Sequence, residues 1–107
     1  MLERHYQRDL IKRIRERMPD AVVLKNDPDY LQGVPDLLIL HEDRWAMLEV
    51  KNKRPGRTGY QPNQEFWIEQ FGAMSFASVI YPENEESVLD ELQRSFASGG
   101  VARISER

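Results

Sequence analysis

Two acids and a lysine, Asp36, Glu49 and Lys51, form the first candidate for a reactive cluster in this chain. Asp36 opens the apolar run Leu37-Leu38-Ile39-Leu40, and Glu49 lies inside Trp45-Ala46-Met47-Leu48-Glu49-Val50. The two runs read as a hairpin turning at Glu42-Asp43. With the turn centred between those residues, Asp36 faces Glu49 across the strands, their Cβ atoms about 5 Å apart. Opposed acids on a half-buried sheet repel each other and destabilise it. Lys51, next but one after Glu49, projects from the same face of the strand. A divalent cation would reconcile these charges, because Mg²⁺ takes oxygen ligands, often one or two carboxylates with water and a phosphate. A lysine beside it would hold a hydroxide, or neutralise charge developing on a phosphate oxygen. The plain alternative is a salt bridge, Lys51 between two carboxylates at a sheet end.

A further acid, Glu3, sits oddly on the first helix. At ~100° per residue it projects between Leu10 and Ile14, inside the stripe formed with Tyr6, Ile11 and Met18. A carboxylate facing a core is costly unless paired, hydrogen-bonded or metal-bound. The alternative is that Glu3 reaches water from a frayed first turn, where acids suit the helix dipole.

Hydrophobic periodicity marks out the helices and strands that carry these groups. Residues 2–18 read as an amphipathic helix, with Leu2, Tyr6, Leu10, Ile11, Ile14 and Met18 at helical spacing and Pro19-Asp20 as its stop. Ala21–Lys25 reads as a strand, and Asn26-Asp27-Pro28-Asp29 begins a loop running to Gly33. Asp36–His41 and Arg44–Asn52 form the hairpin. Residues 53–62 are a loop rich in glycine and proline. Pro62 suits a first helical turn, and Asn63–Met74 continues as a helix offering Phe66, Trp67, Phe71 and Met74 to the core. Phe76–Tyr81 reads as a strand, and Asn84–Phe96 as a helix ended by Ser98-Gly99-Gly100, with a tail or short edge strand beyond. The order αβββαβα predicts an α/β domain, a mixed sheet flanked by helices. Trp45 and Trp67 read as core, and His5 and His41 as surface.

Length and composition bound the rest. The chain has 107 residues, 40% of them apolar and 31% charged, which fits one globular domain over 1–107. The absence of cysteine excludes disulfides, thiolate zinc sites and thiol catalysis, and two histidines leave no histidine-rich metal site. No apolar run approaches the ~20 residues of a membrane span, and the N-terminus has no signal-peptide core, so a cytoplasmic protein is expected. The net charge is −3, but it is unevenly placed. Residues 1–18 hold six bases and three acids, residues 51–57 hold four bases and no acid, and residues 83–91 hold five acids and no base. Such asymmetry could steer a polyanion to one side, or be no more than solvated surface.

Gly33-Val34-Pro35-Asp36 followed by Glu49-Val50-Lys51 resembles the metal-site pattern of the PD-(D/E)xK nuclease superfamily. With Pro62-Asn63-Gln64-Glu65-Phe66-Trp67 added, the chain is similar to its VRR-NUC branch, the virus-type replication-repair nuclease domain. The resemblance runs from Glu3 through the strand Ala77–Tyr81. It implies a small restriction-endonuclease-like αβββαβ core with a C-terminal helix added, and hydrolysis of DNA phosphodiesters with Mg²⁺ or Mn²⁺. Asp36 and Glu49 match the metal-binding acids, with the Val50 backbone carbonyl as a further ligand. Lys51 matches the catalytic lysine, Gln64 the glutamine of the following helix, and Glu3 the acid of the first helix, holding a second ion or a water. Stand-alone members are similar to Holliday-junction resolvases and act as homodimers, which implies branched DNA, junctions or flaps, as substrate. The acidic net charge departs from the basic character usual in resolvases. Lys25, Lys53, Arg54 and Arg57 would contact the DNA backbone. The compact form suits a phage or mobile-element protein acting in a bacterial host. A different class of function, a DNA-binding or assembly module on a nuclease fold without turnover, is the alternative.

Overall fold

A computed structural model describes residues 2–105, with side-chain surroundings for residues 2–97. Its elements run α1 (Glu3–Arg17), β1 (Val22–Lys25), β2 (Leu37–His41), β3 (Arg44–Val50), α2 (Gln64–Met74), β4 (Phe76–Ile80) and α3 (Glu85–Ser105). This is the expected α/β order, with element ends moved by a residue or two except at the C-terminal end of α3. The four strands form one mixed sheet in sequence order, antiparallel from β1 to β3, with β4 parallel to β3. The parallel step needs a crossover, and α2 supplies it.

Alternation sets which side chains meet the core. Leu37 and Ile39 of β2 and Ala46, Leu48 and Val50 of β3 point to one face, joined by Val23 and Ile80. Tyr6, Leu10, Ile11, Ile14 and Met18 of α1 and Val88, Leu89, Leu92 and Phe96 of α3 close over that face. Glu85 ties the two helices together, accepting hydrogen bonds from Tyr6 Oη at 2.8 Å and from Arg13 Nε at 2.6 Å. Burial alone would raise its pKa, but the Arg13 and Tyr6 hydrogen bonds outweigh that and hold it below the usual glutamate value.

Helix α2 lies over the opposite face, against β3 and β4. Here the structure corrects several expectations. Phe66 and Met74 are exposed, and Phe71, Trp45 and Trp67 are only half-buried. The sheet's other face is covered by α2 at one edge only, so these rings stack on each other instead of entering a closed core. Trp67 stacks on Phe71 at 5.4 Å, and Phe71 meets Trp45 edge-on at 6.0 Å. Pro62 precedes the cap residue Asn63 and so stands outside the first turn.

Helix α3 runs on to Ser105, past the expected stop at Ser98-Gly99-Gly100. Glycine keeps its N–H donor, so a helix can run through a Gly pair at a cost of ~1 kcal/mol each. That replaces the expected tail or edge strand as far as Ser105; the last two residues lie outside the described residues. His41 is half-buried, not surface, because its ring stacks on Phe96 at 5.7 Å. Leu2, the first residue of the expected stripe, is exposed. Among the described residues no helix is long and apolar enough to cross a membrane.

Candidate active site

The hairpin pairs Leu37 with Leu48 and Ile39 with Ala46 across the two-residue turn at Glu42-Asp43, where Glu42 takes a positive φ of 55°. Continuing that register beyond β2 sets Asp36 opposite Glu49 and Pro35 opposite Val50. Asp36 Oδ2 accepts the Val50 N–H at 2.8 Å. A proline has no N–H to return, so the ladder offers the Val50 carbonyl no donor from Pro35. Asn26 braces this corner. Its N–H donates to the Asp36 carbonyl at 2.9 Å and its side-chain amide to the Pro35 carbonyl at 2.8 Å.

Glu49 points to the α2 side of the sheet. Its side chain is 2% exposed, and one oxygen is well served: Oε2 accepts Gln64 Nε2 at 2.8 Å and lies 3.4 Å from Lys51 Nζ. The other oxygen, Oε1, is buried with no hydrogen-bond partner. Lys51 Nζ donates to Gln64 Oε1 at 2.9 Å, and the same oxygen accepts the Gln61 N–H at 2.8 Å. Gln64 thus bridges acid and lysine through the two ends of one amide, and it is the one buried residue of α2.

Gly33 brings α2 to this place. Its φ is +84°, and a Cβ there would stand 2.6 Å from the Pro62 carbonyl oxygen and 2.7 Å from Asn63. The loop into Asp36 therefore packs directly on the residues that start α2, which only glycine permits.

The charges are poised against one another. Burial raises the pKa of Glu49 to about 8, the Asp36 charge adds to this, and Lys51 opposes it. Burial also raises Asp36, against the Val50 N–H, the Lys51 charge and the Glu49 side chain. Glu3 stands at the rim, its pKa raised by burial and by Asp36, and lowered by Lys51 and the Asn52 N–H. Five expected residues, Glu3, Asp36, Glu49, Lys51 and Gln64, therefore act on one another at one end of the strands. Lys25, Lys53, Arg54 and Arg57 stand apart on exposed surface, Lys25 at the end of β1 and the others in the loop after β3.

Two residues of the site carried no sequence signal as site residues. Asn26 reads only as turn chemistry, and its bond to Pro35 spans a loop. Tyr60 sits in the glycine-rich loop, yet its ring centroid is 5.6 Å from Lys51 Nζ, a cation–π distance. Tyr30, in the loop between β1 and β2, is 88% exposed.

Among the described residues, no group of three or more His, Asp or Glu is gathered to hold a metal unaided. A pair of carboxylates with a backbone carbonyl, water and phosphate is the donor set Mg²⁺ and Mn²⁺ accept. The unpartnered Oε1 of Glu49 and the Pro35-deprived carbonyl of Val50 fit that use. The chain matches no family model, and no curated protein matches it.

Proposed function

We propose that this chain is a Mg²⁺- or Mn²⁺-dependent endonuclease of PD-(D/E)xK type, closest in pattern to VRR-NUC domains, acting on branched DNA. One observation carries the reading. A fully buried glutamate leaves an oxygen unpartnered beside a second carboxylate, while a lysine is held over it by a glutamine. Most buried side-chain polar atoms have a hydrogen-bond partner, so the open oxygen calls for a use beyond the Lys51 pairing.

Asp36, Glu49 and the Val50 carbonyl would hold the ion, and Glu3 a second ion or an ordered water. Such an ion would supply Lewis-acid polarisation of the scissile phosphate and of water. Lys51 orients the attacking water in line with phosphorus and offsets the charge growing on the phosphate oxygens. Gln64 keeps Lys51 and Glu49 in register through its two hydrogen bonds. Water adds to phosphorus and gives up a proton, the P–O3′ bond breaks, and the departing 3′-oxygen takes up a proton, leaving a 5′-phosphate and a 3′-hydroxyl. No side chain becomes covalently attached.

A homodimer would set two such centres on opposite strands of a junction. The test is a cleavage panel with Mg²⁺: four-way junction, flap, single strand and linear duplex. The expected result is paired nicks in the junction at a rate above that of the linear duplex. Equal cutting of both overturns the preference for branched DNA, and no cutting of any substrate overturns the nuclease.

A further inference from the structure

Helix α1 carries six basic residues, and the fold divides them. Arg13 and Arg17 turn toward α3, where Glu85 and Asp90 pair with them. Arg8, Lys12 and Arg15 turn the other way. With Lys25 they line a groove of about 710 Å³ between α1 and the edge strand β1, floored by Ile11 and Val23. Two acids, Asp9 and Glu16, also line it, and Asp9 is taken up by Arg8 at 3.2 Å. Among the described residues, Lys12, Arg15 and Lys25 form no ion pair. Arg4 extends the same flank of α1 by one turn, beside Glu3.

The groove ends at the candidate site. Lys25 is paired with Leu37, the neighbour of Asp36, and Asn26 donates to the Asp36 carbonyl. Glu3, at the other side of that end, begins α1. We propose that this groove grips the sugar-phosphate backbone of a duplex DNA arm leading away from the scissile phosphate, an assignment that rests on the nuclease reading for its direction.

The dimensions and chemistry suit that ligand. From Arg4 to Arg15 the helix rises ~16 Å, which matches about five phosphates of one strand at ~3.4 Å each. The apolar floor carries the aliphatic stems of lysine and arginine while their heads reach outward. Lysine and arginine heads spaced along one helix flank reach successive phosphates, contacts that position a duplex without reading its sequence. The acids of α3 lie on the far flank of α1, where they repel a polyanion and turn the duplex toward the groove.

The test uses the full chain and a fluorescein-labelled 20-base-pair duplex, read by anisotropy in EDTA between 50 and 200 mM KCl. Arg8→Gln/Lys12→Gln/Arg15→Gln changes exposed helix positions only. It should bind at least 10-fold more weakly at about 100 mM salt, with the log–log salt slope shallower by about 2 to 3. Lys25→Glu, on a different element, should weaken binding at least 3-fold by itself. Unchanged affinity and slope in both variants, or a wild type that does not hold duplex, overturns the groove. Cleavage of a four-way junction, a flap, a single strand and the same duplex in Mg²⁺ separates the two ideas. Wild type that binds duplex through these residues and cuts none of the four keeps the groove and refutes the nuclease; wild type that cuts while both variants bind normally does the reverse.

Discussion

Glu49 concentrates the electrostatic cost of the site in one side chain. Burial and the nearby Asp36 charge raise its pKa to about 8, far above the ordinary glutamate value of 4.5. The folded state therefore binds a proton that the unfolded chain has released throughout that interval, so stability falls as pH rises from about 4.5 to about 8. In EDTA, wild-type thermal stability should drop across this range. Glu49→Gln should flatten the curve and gain roughly 1–3 kcal/mol at pH 8, since a neutral amide escapes the buried-charge penalty. Parallel melting curves for the two proteins would refute this origin of the strain. Lys51 differs in kind, because its hydrogen bond to Gln64 and its place over the Tyr60 ring aim its charge without burying it unpaired. Lys51→Ala should lower the single-turnover cleavage rate by roughly two orders of magnitude or more, with DNA affinity changed only a few-fold. Weak binding with a normal rate at saturation would make Lys51 a ground-state phosphate contact.

At the scale of elements, the site is an assembly of a strand corner, a helix start and one close glycine contact. Gly33→Ala must accept a positive φ and a Cβ 2.6 Å from the Pro62 carbonyl oxygen. Chemical denaturation should show a loss of roughly 2–4 kcal/mol, and the shifted start of α2 should carry Gln64 off Glu49. An unchanged midpoint would mean the loop relaxes freely. The hairpin register was legible in the sequence because alternation and a two-residue turn leave one pairing that buries Leu37, Ile39, Ala46 and Leu48 together. That register alone brings Asp36 to Glu49. The burial of Gln64 was not legible from periodicity. Phe66, Trp67, Phe71 and Met74 make α2 look like a core helix, whereas the polar Gln64 is the side chain that goes in. Its burial depends on where α2 lands across the sheet, which is tertiary information. The continuation of α3 through Gly99-Gly100 was hidden for a local reason, since glycine pairs ordinarily mark helix ends.

Over the whole molecule, charge is sorted by the same packing that builds the core. The acids at the start of α3 are set against Arg13 and Arg17, leaving Arg8, Lys12, Arg15 and Lys25 on one outer flank. A net charge of −3 is thus compatible with a basic face. So small a footprint on one subunit would hold duplex weakly, and its affinity should fall steeply with added salt. The proposed homodimer doubles it. Junction cleavage per subunit should therefore decline on dilution, in step with the dimer's dissociation measured by sedimentation. Constant specific activity through that dissociation would assign cleavage to the monomer.

Calorimetric titration of Mn²⁺ into the DNA-free protein decides whether Asp36 and Glu49 are a metal pair or partners in a structural salt bridge. Wild type at pH 7 should bind Mn²⁺ and release a proton, seen as a heat that depends on the buffer's ionisation enthalpy, with affinity rising as pH approaches 8. Asp36→Asn and Glu49→Gln should each abolish binding while keeping the circular dichroism of the fold. Equal Mn²⁺ affinity in wild type and both variants, or no binding by wild type between pH 7 and 8, would contradict the metal pair.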